Sequence, residues 1–88
     1  MSSKHHHIAV GEIVPLSYLH RGERAKVVSL HNDNHALRRR LLDMGITKGV
    51  EIYIKKVAPL GDPIDVALRG YELCLRKADM AEIMVEKL

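Results

Sequence analysis

The sequence predicts a mostly β fold, a small antiparallel β-barrel of about five strands with one inserted α-helix and short helical turns. Two observations carry that expectation. Short stretches in which apolar and polar residues alternate recur along the 88-residue chain, separated by turns marked with glycine or proline. One segment, HALRRRLLDM, has the period of a helix instead, and it interrupts the series after the first long strand.

The clearest alternation lies between Pro59 and Arg76. Pro59, Gly61 and Pro63 punctuate a turn in which Asp62 is placed to cap its own backbone. Ile64, Val66 and Leu68 then alternate with Asp65, Ala67 and Arg69, and after Gly70 the pattern resumes with Tyr71, Leu73 and Leu75. A tight hairpin around Gly70 follows, since glycine takes positive φ without steric penalty. A two-stranded hairpin with one apolar face does not stand alone in water, so the rest of the chain must supply partner strands and a lid.

Arg24 to Leu30 (RAKVVSL) reads as the first long strand, and the adjacent Val27 and Val28 predict a bulge in it. Asn32, Asp33 and Asn34 are all good N-caps for a helix from about Asn34 to Met44, with Leu37, Leu41 and Met44 as its buried stripe. Gly45 stands where a left-handed residue ends a helix, and Ile46 where it can touch Leu41. Val50, Ile52 and Ile54 mark the next strand, extending to Val57. Lys77 to Ala81 is long enough for one helical turn only, and Ile83 and Val85 mark the last strand. Upstream, Ser17 is placed to cap a short turn over Tyr18 to Arg21, with Leu16 and Leu19 plugging one end of the barrel. These elements together predict an SH3-like barrel. Residues 1–8, with His5, His6 and His7, read as a disordered or tag-like N-terminus, and residues 9–88 as a single domain.

Composition narrows the function classes. The chain has 14 Lys and Arg against 11 Asp and Glu, a net charge of +3, well short of a dedicated phosphate-backbone binder. A single cysteine rules out an intramolecular disulfide and suits a reducing cytoplasm. No apolar run approaches the ~20 residues of a membrane helix, so the chain is expected not to span the bilayer. No G-x-x-x-x-G-K-[ST] motif is present, and Cys74 falls on a polar strand face with no activating context, so no enzyme activity is expected.

The segments GERAKVV, LLDMGITKGVEI and PLGDPIDVALRGYELCLR, in this order and spacing, resemble the FeoA family over roughly Gly11 to Glu86. The resemblance implies an SH3-like fold and a cytoplasmic, non-enzymatic accessory role in bacterial ferrous iron uptake. Its partner would be FeoB, a membrane permease with a cytoplasmic GTPase domain. The same domain is similar to the C-terminal module of iron-dependent repressors, which leaves a regulatory role as the alternative. Before the last strand the family usually has a small residue where Met80 stands, so packing there is expected to differ.

Several sites are weighed against that background. His31 and His35 are the weak candidates for a metal, with Asp33 and Cys74 as possible additions; no cofactor is expected. Arg38, Arg39 and Arg40 form the one basic cluster, but successive helical residues point about 100° apart, so they make no single flat patch. Arg39 can pair with Asp43 at i, i+4. Tyr18, Tyr53 and Tyr71 are the only aromatics, too few for stacking bases or lining a proline-peptide groove, so nucleic acid is not an expected partner. Protein contact remains, with Pro59, Leu60, Gly61, Asp62 and Pro63 of the turn and Arg38 and Arg39 of the helix as candidate surfaces. Weak self-association through exposed barrel strands is a further expectation.

Overall fold

The computed structural model describes residues 8–30 and 34–88; the His5–His7 run, His31 and Asp33 lie outside the described residues. In chain order the elements are β1 (Ile13–Pro15), a 3₁₀ turn (Leu16–Tyr18), β2 (Arg24–Leu30), α1 (His35–Asp43) and β3 (Glu51–Val57). They continue with β4 (Ile64–Leu68), β5 (Tyr71–Leu75), α2 (Lys77–Met80) and β6 (Ile83–Lys87). One antiparallel sheet runs in the order β1-β6-β2-β3-β4-β5. The strands from β2 onward form an SH3-like arrangement: a meander of four, with the last strand returning beside β2 after a single helical turn. The mostly β, SH3-like class thus stands, although β1 and β5 do not pair and the sheet is not closed.

Alternation decides which face is buried. Ala25 and Val27 of β2, Ile52 and Ile54 of β3, and Ile64, Val66 and Leu68 of β4 all enter one apolar cluster with Ile83 and Val85 of β6. The cluster holds no buried polar or charged residue. Two irregularities bend the sheet, one between Val27 and Ser29 and one between Ile54 and Lys56. The first is the bulge that the Val27–Val28 pair predicts, since two adjacent valines cannot both face inward on a regular strand. Met80 is fully buried in the same cluster. A long unbranched side chain fills the space beneath α2.

Three expectations change. The sequence signals give five strands, whereas the sheet has a sixth, β1; it is only three residues long and pairs with the far end of the chain, Ile13 opposite Glu86. The first helical turn begins at Leu16, not Tyr18, and Ser17 caps nothing. Pro15, with φ of −62°, already has the dihedral that leads into the turn, and burying Leu16 fixes where it starts. Ile8, read as part of the N-terminal tail, is only 4% exposed and belongs to the core.

Helix α1 is built from local signals. Asn34 accepts hydrogen bonds from the N–H groups of Ala36 (3.0 Å) and Leu37 (3.2 Å), satisfying two donors at the N-terminus. At the other end Ile46 N–H donates to Leu41 O and Gly45 N–H to Leu42 O, both at 3.0 Å, the Schellman pattern. Gly45 has φ of +90°, and the Tyr71 hydroxyl of β5 lies where a Cβ would stand, donating its hydrogen bond to the Met44 carbonyl. The β4–β5 hairpin is thereby fastened to the end of α1. Its own turn consists of Arg69 and Gly70, with φ of +50° and +84°, both positive as a type I′ turn requires.

Candidate partner-binding surfaces

The Pro59–Pro63 turn is held in shape by backbone. Ala58 N–H donates to Pro63 O (3.1 Å) and Gly61 N–H to Ala58 O (2.7 Å). Asp62 does not cap its own backbone as its position suggests. Its Oδ1 accepts from the N–H of Lys77 (2.9 Å), the first residue of α2, whose preceding residue Arg76 offers no side-chain cap. The turn is therefore braced against a second element 15 residues away. At its tip Leu60 is 96% exposed, the most exposed of the large apolar residues described. Pro59 and Pro63 are exposed as well, and with Lys56, Ala58 and Asp65 they line a shallow depression of about 280 Å³.

Arg38 and Arg39 project from the exposed side of α1. Arg38 Nη1 donates to Leu30 O at 3.5 Å, a long contact. Arg39 and Asp43 do not form the ion pair their spacing allows; both are exposed, and water competes effectively for such pairs. Arg40 instead binds Asp79 of α2 at 3.0 Å, tying the two helices together. His35, Arg38, Arg39, Leu42 and Asp43 line a depression of about 360 Å³. No depression described combines residues of α1 with residues of the Pro59–Pro63 turn.

The chemistry around these surfaces is sparse. His35 is the exposed first residue of α1, and no group of three or more His, Cys, Asp or Glu placed to hold a metal occurs among the described residues. The His31–His35 pairing and Asp33 fall outside the description. Cys74 lies directly across the β4–β5 ladder from Asp65, and its Sγ is 2.7 Å from Asp65 Oδ1. That hydrogen bond, with a smaller contribution from desolvation, pushes the thiol above its ordinary pKa and away from a nucleophilic thiolate. Lys55 reaches across to Glu72 at 2.5 Å, and this pairing raises the lysine pKa.

The model of the FeoA domain matches residues 14–87. The chain belongs to the FeoA family. A solved FeoA-like protein from Clostridium acetobutylicum is 41% identical, covering 92% of this chain and 91% of its own, with a TM-score of 0.80. The Fe(2+) transport protein A/Fe(2+) transporter FeoB fusion protein of Porphyromonas gingivalis is 38% identical over 71 residues, or 81% of this chain; the match spans only 8% of the fusion protein. A manganese-dependent transcriptional repressor has a TM-score of 0.80 over 86% of this chain and 37% of its own, at 18% identity. At that identity the likeness shows a shared fold alone. The family is thus linked to ferrous iron transport, and no helix among this FeoA-family chain's described residues is long and apolar enough to cross a membrane.

The residues that shape these surfaces are only partly legible in the sequence. Leu60 and the prolines follow from turn chemistry. The Asp62–Lys77, Arg40–Asp79 and Tyr71–Met44 contacts join residues 15, 39 and 27 apart, and no local pattern announces them.

Proposed function

We propose that this protein is a non-enzymatic, cytoplasmic accessory protein of bacterial ferrous iron uptake that docks on the cytoplasmic region of a FeoB-type permease and modulates it. The observation that carries this reading is the fusion of a 38% identical domain to FeoB in one polypeptide. Fusion holds two modules at high effective concentration, an arrangement that suits partners whose separate association is weak. The Pro59–Pro63 turn is the primary contact, with Leu60 as its anchor. An apolar tip held out by hydrogen-bonded backbone loses little conformational entropy on docking, and covering it removes apolar surface from water. Arg38 and Arg39 supply a separate basic contact for acidic groups.

The test is capture of the isolated FeoB cytoplasmic region by the full chain, with and without guanine nucleotide. Binding in at least one nucleotide state, weakened by Leu60→Ser, is the expected result. Clean failure in both states refutes the docking.

A further inference from the structure

The two ends of the sheet differ. β1 is three residues long and ends in Pro15, which has no N–H, so that edge is blunted. β5 has five residues and no proline. Its tight turn makes Leu68 and Tyr71 a hydrogen-bonded pair, and alternation then turns the N–H and C=O groups of Tyr71, Leu73 and Leu75 toward β4. Those of Glu72 and Cys74 point to the free side and have no backbone partner among the described residues. Arg76 continues the row in extended conformation, with φ of −79° and ψ of 145°. Its carbonyl is taken by Asp79 and Met80 N–H, which leaves its own N–H on the open edge. Beside this edge, between Arg40 of α1, the C-cap residue Met44, and Cys74 to Arg76 at the end of β5, lies an open groove of about 520 Å³.

We propose that the β5 edge pairs with β5 of a second copy of this chain, antiparallel about a two-fold axis at Cys74. Charge singles out this register. Edge-facing residues must oppose edge-facing residues, so the two-fold choices place Glu72 against Glu72, Cys74 or Arg76 of the second copy, or Arg76 against Cys74 or Arg76. Only the register centred on Cys74 sets Glu72 opposite Arg76, and symmetry does so twice. In that register half-buried Leu73 meets Leu75 of the second copy on the core side of the seam. A two-fold pairing of like edges occupies the β5 edge of both copies, so it closes as a dimer and does not propagate. A single strand pair buries little area, and the dimer is accordingly weak and concentration-dependent.

Sedimentation equilibrium of the full chain over a wide concentration range tests this. The wild-type chain dimerises at high concentration, and a short bis-maleimide joins two copies through Cys74. Arg76→Glu turns two attractive cross-strand pairs into repulsive ones and weakens the dimer about tenfold or more. Glu72→Lys/Arg76→Glu recovers dimer relative to Arg76→Glu alone. Cys74→Pro removes an edge N–H that β4 does not use, so the monomer keeps its circular dichroism while dimer formation is lost. A wild-type chain that stays monomeric throughout overturns the proposal. So does a dimer indifferent to Arg76→Glu and Cys74→Pro, or a double variant no better than Arg76→Glu.

Discussion

The end of α1 and the Pro59–Pro63 turn are made of the same materials and come out opposite. Each has a glycine at positive φ, Gly45 at +90° and Gly61 at +88°, and each is closed by backbone hydrogen bonds. At the helix end Ile46 goes into the core and the Tyr71 hydroxyl covers the glycine. At the turn Leu60 points into water and nothing lies near the position of a Cβ on Gly61. The first junction is fixed by what it packs against, so its residues answer to stability. The second is held by its own backbone and by the bond from Lys77 N–H to Asp62, and neither uses Leu60, which frees that apolar side chain for another molecule.

Substitutions sharpen that contrast, beginning at the helix end. Gly45→Ala forces a left-handed alanine and displaces the Tyr71 hydroxyl from Met44, so urea denaturation should show a loss of about 2–3 kcal/mol. A change under about 0.5 kcal/mol would mean that the junction is not fixed by packing. At the turn, Asp62→Ala removes the bond to Lys77 N–H and leaves the first turn of α2 uncapped, a loss of about 1 kcal/mol by the same assay.

Leu60→Ser marks the other side of the comparison. Stability should stay within about 0.5 kcal/mol of the wild type, since the side chain contacts water in the free protein. A larger loss would place Leu60 among the structural residues. The smallest effect concerns Cys74. Because Asp65 raises the thiol pKa, less thiolate is present at a given pH in the folded chain than in a free thiol. Alkylation between about pH 8 and 9 should therefore be slower than in urea, and Asp65→Asn should speed it with no measurable change in unfolding. Equal rates in the two variants would remove the Asp65 hydrogen bond from the account.

How legible each region was in the sequence follows the same division. Helix α1 could be read almost residue by residue, since its N-cap Asn34, its stripe of Leu37, Leu41 and Met44, and Gly45 are local signals. The bulge at Val28 and the strands from β2 to β6 were legible because alternation reports burial directly. β1 was not, since three residues give alternation nothing to repeat and its partner lies at the opposite end of the chain. The role of Asp62 is not legible in the sequence, because turn chemistry considers only the nearest N–H groups, while the donor it meets arrives with α2. Arg39 and Arg40 exchange expected roles for the same reason: helix spacing favours Arg39–Asp43, but tertiary packing brings Asp79 to Arg40.

Chemical-shift mapping of the isotope-labelled full chain, titrated with the FeoB cytoplasmic region in both nucleotide states, bears most directly on whether this domain works by contact through its turn. The expected result is saturable movement of the Leu60, Gly61 and Asp62 amides, with the Gly45 and Ile46 signals unmoved. Spectra that do not change at any ratio in either state, or shifts that leave the turn untouched, would contradict it.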